Sequence, residues 1–231
     1  MKLILSGGGS EKDTEELNKK FSSLLDKSKP LLYVPIAMNE KKHPYSKCLK
    51  WLKSTFDNLG ISLYEVITEK NMDKLSGYHP KTFSGIYIGG GNTPYLLNKL
   101  KETNAWNFLK KALDMDIPIY GGSAGAVIFG KTIIPALSYD KNEIGLKDLK
   151  GFDILNGIEI ICHYSKNERQ KIQDMIVKNK IKRLIALTER NGLFVTNISV
   201  TLIGKEEGLI FEKEKIKKIS VGEKIKNQIL F

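Results

Sequence analysis

The feature that most constrains the fold is the alternation, through the first half of the chain, of short β-rich runs with longer amphipathic segments. Parallel strands are joined by crossover segments of about a dozen residues or more, which are usually helices. The alternation therefore predicts an α/β fold in which helices cover both faces of a mostly parallel sheet. The predicted strands are residues 2–6, 31–36, 62–66, 85–88 and 117–120. The predicted helices are residues 11–26, 45–59 and 93–115, the last dividing near Thr103.

The pattern changes after Gly125. A polar loop at residues 138–150 leads to a predicted strand at 157–162, and residues 167–178 have helical spacing. The remaining short β-rich runs predict an antiparallel extension at the C-terminus. Those runs are residues 184–188, 192–195, 200–203, 209–211 and 216–219. No linker or repeat interrupts the chain, so we expect one domain over residues 1–231, a three-layer α/β sandwich.

Composition excludes several protein classes. The 231 residues are 41% apolar, enough for a sizeable core, and no apolar run is long enough to cross a bilayer, so we expect no membrane partner. The apolar run at residues 2–6 breaks at once into Gly7, Gly8 and Gly9, which predicts a first strand and not a signal peptide. Two cysteines are too few for a disulfide framework and have no metal-ligand spacing, so we expect a cytoplasmic protein.

The net charge of +11 raises the question of nucleic-acid binding. Most of this charge comes from lysines that are mixed with glutamates and lack interleaved aromatic residues or a nucleic-acid motif. We interpret them as a solvated surface and expect no nucleic-acid partner. A preference for acidic substrates is the alternative reading of the charge.

The strongest local signal is Gly-Gly-Ser-Ala-Gly at residues 121–125, directly after a predicted strand and before a helix-compatible segment. This order is typical of a nucleophile elbow, a strained strand-to-helix turn in which small neighbours prevent clashes around the serine. The turn directs the amide of Ala124 toward negative charge that develops above Ser123. We predict Ser123 as a nucleophile for acyl transfer; a flexible turn or a phosphate-binding loop is the alternative.

A second glycine-rich turn, Gly-Gly-Gly-Asn-Thr at residues 89–93, also lies between a predicted strand and a helix. Parallel strands bring their carboxyl ends to one edge of the sheet, so this turn and Ser123 should face the same crevice. An amide of Gly90 or Gly91 would then complete an oxyanion hole with Ala124. The alternative is a nucleotide-binding loop, although the segment lacks both the Gly-x-Gly-x-x-Gly spacing and the P-loop lysine.

His163 is one of three histidines and directly follows a predicted strand, where its side chain should emerge at a sheet edge. The other two, His43 and His79, each precede a proline in a polar turn and are predicted to be exposed loop residues. A histidine after a strand can also be purely structural. With Ser123 in the same chain, we predict His163 as the general base.

A serine nucleophile with a histidine base needs a third group, normally a carboxylate, to orient the imidazole. Glu189 follows the predicted strand 184–188, which would bring it to the same edge as His163. Asp140 lies in the polar loop between Ser123 and His163, in a turn-like sequence typical of a surface. We predict Glu189 as the third member, with Asp140 as the alternative.

In their order and spacing, these segments resemble the peptidase E family of serine peptidases, which has a class I glutamine amidotransferase-like fold. The resemblance spans most of the chain and rests on residues 89–93, on Gly-Gly-Ser-Ala-Gly-Ala at 121–126, on Gly-Phe-Asp at 151–153, and on Glu189 after a strand. It implies a serine, histidine and carboxylate triad that works without metal or organic cofactor. The best-known members remove an N-terminal aspartate from short peptides.

The residue roles that the resemblance implies are those given above, and it adds Asn92 and Arg169 as candidate substrate-binding residues. An aspartate pocket calls for an arginine after the histidine strand, a place where Arg169 lies. The expected partner is a short peptide cleaved from its N-terminus through an acyl-enzyme, and the expected assembly is a monomer or a homodimer. An amidase or esterase of a small molecule and a non-catalytic binding module remain alternatives, because a fold hosts many functions.

Overall fold

The strands that were expected from the alternation form the centre of the molecule. The computed structural model describes residues 1–212 and 215–225. Within them the strands are β1 (Lys2–Ser6), β2 (Leu31–Val34), β3 (Tyr64–Val66), β4 (Gly85–Ile88), β5 (Ile119–Gly122), β6 (Glu159–Ile161), β7 (Arg183–Ala186), β8 (Asn191–Thr196), β9 (Val200–Gly204), β10 (Gly208–Glu212), β11 (Lys215–Ile219) and β12 (Lys224–Ile225).

The described strands pair into two sheets. The large sheet has eight strands in the order β12, β9, β8, β1, β5, β4, β2, β3. Along the sheet, the neighbouring pairs among β1, β5, β4, β2 and β3 are all parallel. On the other side of β1, the pairs β1–β8, β8–β9 and β9–β12 are antiparallel. The smaller sheet has the order β11, β10, β7, β6, in which only β6 and β7 are parallel. The predicted C-terminal antiparallel strands are therefore present, and they divide between the two sheets.

The helices are α1 (Glu15–Ser22), α2 (Tyr45–Phe56), α3 (Thr93–Glu102), α4 (Ala105–Asp114), α5 (Ala124–Val127) and α6 (Arg169–Lys178). Helices cover both faces of the large sheet because successive side chains of a strand point to opposite faces. In β1, Ile4 packs with α1 and α2, while Leu3 and Leu5 pack with α3, α4 and α5. The helix α6 covers the smaller sheet through Ile172 and Ile176. The predicted α/β three-layer fold is confirmed.

Several element boundaries differ from the sequence prediction for local reasons. The strand β2 stops before Pro35, which lacks a backbone N–H for the ladder. The helix α1 begins later than predicted, because Asp13 accepts hydrogen bonds from the backbone and side chain of Ser10 and closes a turn there. The strand β5 extends into Gly121 and Gly122, which pair with the end of β1. No helix in the described part of the chain is long and apolar enough to cross a lipid bilayer.

Candidate active site

Ser123 occupies a strained turn between β5 and α5. Its backbone has φ +51° and ψ −110°, a conformation that a non-glycine residue rarely adopts. The backbone N–H of Ser123 donates to the Ser6 carbonyl at 3.0 Å, which ties the turn to the neighbouring strand β1. The side chain is half-buried at the carboxyl edge of the sheet. This geometry is that of a nucleophile elbow.

The glycines on each side of Ser123 are required by close backbone approaches. A Cβ on Gly121 would lie 2.2 Å from the carbonyl oxygen of Gly125. A Cβ on Gly125 would lie 2.4 Å from the carbonyl oxygen of Ile88 at the end of β4. Both distances are far below van der Waals contact, so any larger residue at either position would displace the turn that holds Ser123.

His163 follows β6 and brings its imidazole to Ser123. Its Nε2 lies 2.8 Å from the Ser123 Oγ. The backbone of His163 has φ +57°, and its N–H donates to the carbonyl of Gly7 at 3.0 Å. A Cβ on Gly8 would lie 2.2 Å from the imidazole Cε1. The glycine turn after β1, which matched no binding motif in the sequence, therefore makes room for the ring.

Of the two candidate carboxylates, Glu189 reaches the imidazole. Its Oε1 lies 2.8 Å from Nδ1 of His163. This contact fits the tautomer in which Nδ1–H donates to the carboxylate and Nε2 accepts from the serine hydroxyl. Both side chains are about half exposed, 47% for His163 and 53% for Glu189. Asp140 has other partners: its Oδ2 accepts from the N–H of Thr93 at 3.0 Å and from the Thr93 hydroxyl at 2.6 Å.

Two of the predicted oxyanion-hole residues adjoin Ser123, since Ala124 follows it in the chain and Gly90 lies close to it in space, and Gly91 lines the same cavity. The backbone N–H groups of Gly90, Gly91 and Ala124 donate no hydrogen bond within residues 1–212 and 215–225. A Cβ on Gly90 would lie 3.2 Å from the Cβ of Ser123, which shows how closely the two turns approach. Gly91 has φ +137°, and a Cβ there would meet the Ala37 carbonyl, so this position also needs glycine. Free amides next to a serine oxygen suit the binding of an oxyanion.

The two candidate substrate-binding residues lie in different surroundings. Asn92 is the N-cap of α3: its Oδ1 accepts from the Tyr95 N–H at 2.9 Å, and its Nδ2 donates to the Lys141 carbonyl at 2.9 Å. Its amide group therefore supports the second glycine-rich turn. Arg169 is an exposed residue at the start of α6 and does not belong to the lining of the cavity beside Ser123.

A cavity of about 510 Å³ opens beside Ser123 and His163. Its lining includes Trp51 and the tyrosines Tyr33, Tyr87 and Tyr120. Sequence reasoning missed this cavity, because no local pattern encodes the strand register that aligns its aromatic residues. The three tyrosines lie in β2, β4 and β5, and the parallel pairing places them in register.

Cys162 and the other two histidines lie outside the contacts that join Ser123, His163 and Glu189. Cys162 is buried beneath the elbow, and burial raises the pKa of its thiol, so the group stays protonated. His43 and His79 are both exposed, as predicted, and His43 also belongs to the cavity lining. In the part of the chain that the structure describes, no group of three or more His, Cys, Asp or Glu residues could hold a metal ion.

Known proteins match this chain along most of its length. The model of Peptidase family S51 matches residues 3–203. A Peptidase E of Shewanella sp. (strain W3-18-1) is 28% identical over 176 residues, which cover 68% of this chain and 72% of the relative. An uncharacterized peptidase of Listeria innocua serovar 6a is also 28% identical over 176 residues, covering 75% of this chain and 82% of the relative.

A solved structure shares the fold. The crystal structure of a peptidase from an acI-B1 Actinobacterium superposes with a TM-score of 0.72 and covers 97% of this chain and 96% of its own. The two sequences are 22% identical. At this identity the likeness shows a common architecture, and the chemistry has to be argued from the side chains themselves.

Proposed function

The chain belongs to peptidase family S51 and is a serine-type peptidase, and from this premise we propose that it hydrolyses short peptides from their N-terminus through an acyl-enzyme on Ser123. The observation that carries the proposal is the pair of 2.8 Å contacts that joins the Ser123 hydroxyl to His163 and His163 to Glu189. Nucleophile, base and orienting carboxylate are within hydrogen-bond reach of one another, as this chemistry requires.

In the first half of the reaction, Nε2 of His163 takes the hydroxyl proton as Ser123 Oγ attacks the scissile carbonyl carbon. The carbonyl oxygen becomes an oxyanion, which the amides of Ala124 and of Gly90 or Gly91 stabilise by hydrogen bonding. The C–N bond then breaks. The proton on His163 passes to the leaving amine, and the acyl group remains on Ser123.

In the second half, His163 takes a proton from water, and the resulting hydroxide attacks the acyl carbon. The same amides stabilise the second oxyanion. Collapse of this intermediate breaks the ester bond and returns the proton to Ser123. Through both halves, the carboxylate of Glu189 holds the imidazole in one tautomer and stabilises its charged form.

The size of the site supports a short substrate. A cavity of about 510 Å³ is within the range of small-ligand sites, roughly 300–1,000 Å³. N-terminal cleavage, and release of aspartate in particular, is what the resemblance to peptidase E implies. Arg169, the candidate arginine for binding an aspartate side chain, lies outside the cavity lining. The test therefore compares peptides that begin with aspartate with peptides that begin with other residues.

The test is hydrolysis of a panel of Asp-X, Glu-X, Ala-X and Leu-X dipeptides and short peptides, with release of the first residue read by mass spectrometry. We expect wild-type protein to cleave members of the panel and Ser123→Ala to lose about 10⁴-fold or more of that activity. A fluorophosphonate probe should label Ser123 in the folded wild-type protein and label nothing in the variant.

The outcomes separate the candidate functions. Serine-dependent release of any N-terminal residue supports the proposal, and the released residue identifies the preference. Labelling of Ser123 without cleavage of any peptide would instead indicate an amidase or esterase of another acyl substrate. A folded wild-type protein that the probe does not label would overturn the acyl-enzyme.

A further inference from the structure

The cavity beside Ser123 has an aromatic wall that the proposed reaction steps do not use. Tyr33, Tyr87 and Tyr120 lie side by side on three adjacent parallel strands. The rings of Tyr87 and Tyr120 are stacked with their centroids 4.6 Å apart, and Tyr33 meets Tyr87 edge to face at 5.8 Å. Trp51 of α2 adds a fourth ring, 6.3 Å from Tyr87. Such a wall binds flat apolar groups through stacking and edge-to-face contacts.

Two hydroxyl groups of this wall have no protein partner. The side chains of Tyr33 and Tyr87 are 3% and 5% exposed. Their hydroxyls make no hydrogen bond within the described residues, and neither oxygen is fully buried there. The Tyr33 hydroxyl lies 3.6 Å from the position of a Cβ on Gly89, and the Tyr87 hydroxyl lies 3.5 Å from that of a Cβ on Gly122. Both hydroxyls therefore lie beside the two glycine turns of the site. Both residues line the cavity, so these two hydroxyls are available to a polar group of a bound molecule.

The permanently charged side chains that line the cavity are both lysines. Lys42 and Lys47 belong to its lining, together with His43, and the lining contains no aspartate or glutamate. Neither lysine forms an ion pair within the part of the chain that the structure describes. The cavity thus favours a negatively charged group and offers no carboxylate to a peptide's N-terminal ammonium.

The position of His163 decides which part of a peptide lies here. In the proposed reaction, Nε2 of His163 gives its proton to the leaving amine, so the leaving residue must lie on the imidazole side of Ser123. His163 and Ser123 both line this cavity. The neighbouring cavity, which contains Asn92 and the carboxylate of Glu69, includes neither of them.

We propose that this cavity binds the leaving residue of the substrate, that it prefers an aromatic side chain there, and that Lys42 and Lys47 bind the free C-terminal carboxylate. The substrate class is a dipeptide whose second residue is aromatic. In a dipeptide the C-terminal carboxylate lies on the leaving residue and the N-terminal ammonium on the acyl residue. The positive charge of the cavity lining therefore matches the leaving residue. This inference rests on the proposed function and assigns it a specificity site.

The first test varies the second residue of the substrate and keeps the first constant. We expect kcat/KM for Ala-Phe and Ala-Tyr to exceed that for Ala-Gly by roughly 10- to 100-fold, the range that burial of an aromatic side chain provides. The isomer Phe-Ala should be a poorer substrate than Ala-Phe. The same series with aspartate in first position shows whether the preference is independent of the acyl residue.

The second test removes the positive charge. The double variant Lys42→Met, Lys47→Met should lose about 5-fold in its discrimination between Ala-Phe and the neutral Ala-Phe amide, the size expected for exposed ion pairs. Lys50→Met is the control, because Lys50 is an exposed lysine that shares helix α2 with Lys47 and lies outside the cavity lining. Its discrimination should equal that of the wild type.

The third test does not depend on turnover. In Ser123→Ala, Trp106→Phe protein, Trp51 is the remaining tryptophan, and its fluorescence reports occupation of the cavity. Ala-Phe should bind more tightly than Ala-Gly. Serine-dependent cleavage with no preference at the second residue, or equal binding of both dipeptides, would overturn the specificity while leaving the peptidase function intact. Absence of cleavage together with tighter binding of Ala-Phe would count against the peptidase function and in favour of the specificity site.

Discussion

The serine and the histidine of the candidate site are held by different kinds of structure. Ser123 lies in the turn from β5 to α5, and the close approach that defines this turn joins Gly121 to Gly125, four residues apart. His163 follows β6 of the smaller sheet, and the groups around it come from distant parts of the chain. Its backbone bonds to Gly7, and its ring contacts Glu189.

The turn that holds Ser123 is thus mainly a local structure, whereas the surroundings of His163 are assembled from distant segments. The serine turn is specified largely by five consecutive residues, and the adjoining strands contribute backbone groups at Ser6 and Ile88. The histidine requires the smaller sheet to dock against the end of β1 before its partners meet. Substitutions in the histidine half should therefore lower the reactivity of Ser123 without altering the turn itself, and this is the basis of the predictions below.

The largest effect is expected from Glu189→Gln. The amide keeps the shape of the side chain but no longer stabilises an imidazolium or enforces the Nδ1–H tautomer. The rate of fluorophosphonate labelling at Ser123 should fall by about 10³- to 10⁴-fold, as for the corresponding change in other serine triads. Labelling followed over time by intact-protein mass spectrometry measures this rate.

Asp140→Asn provides the comparison, because Asp140 was the alternative third member. Its carboxylate accepts two hydrogen bonds from Thr93 at the start of α3, and asparagine retains an acceptor there. Labelling should stay within about 3-fold of the wild type, since one oxygen of Asp140 accepts both bonds and the carbonyl oxygen of asparagine can take its place. Slower labelling of Asp140→Asn than of Glu189→Gln would reverse the assignment.

A smaller effect is expected from Gly8→Ala. The new methyl would collide with the imidazole of His163, whose Cε1 lies 2.2 Å from the Cβ position, and the ring must move away from Ser123. A displacement of about 1 Å in a reacting group typically costs on the order of 10²-fold in rate. Labelling kinetics measure the loss, and a circular-dichroism melt reports whether the fold is retained.

Gly222→Ala is the control that separates the steric collision with His163 from the cost of placing alanine at a positive φ. Gly222 also has a positive φ, +84°, but a Cβ there would meet nothing within 4 Å. Both variants should lose stability because alanine disfavours positive φ. Only Gly8→Ala should lose reactivity, and equal labelling rates in the two variants would show that the ring has room to adapt.

The sequence predicted the parts of the site that follow from strand ends. Ser123, His163 and Glu189 each come directly after a β-rich run, and strand ends were expected to meet at one edge. The aromatic cavity was missed because the alignment of Tyr33 with Tyr87 depends on strand register, which no local pattern encodes. The division of the C-terminal strands between two sheets was missed for the same reason.

The role of the first glycine turn also depended on tertiary structure. Gly8 matters because an imidazole from residue 163 packs against it, a contact that only the folded chain creates. Asn92 was read as a substrate-binding candidate, and its side chain is occupied as a helix cap. A helix cap such as Asn92 and a close contact such as that at Gly8 both use common polar or small residues. The sequence alone therefore does not tell structural positions from functional ones.

The smallest effect concerns Glu159, which lies in the strand that ends near His163. Its carboxylate accepts from the Thr132 N–H at 2.8 Å and from the Thr132 hydroxyl at 3.0 Å, and burial raises its pKa. Glu159→Gln keeps an acceptor for the N–H, and the Thr132 hydroxyl can accept from the new amide. The free energy of unfolding should change by less than about 1 kcal/mol.

The pH dependence of this change is the more specific prediction. A carboxyl group whose pKa is raised by folding binds its proton more tightly in the folded state. Its contribution to stability is complete below the pKa of the unfolded chain and is lost as the pH rises through the folded value. Wild-type protein should therefore lose stability relative to Glu159→Gln across that window, measured by urea unfolding at several pH values. A stability difference between the two proteins that stays constant with pH would mean that β6 tolerates the charged Glu159 carboxylate. Labelling of Ser123 should be equal in both proteins at every pH.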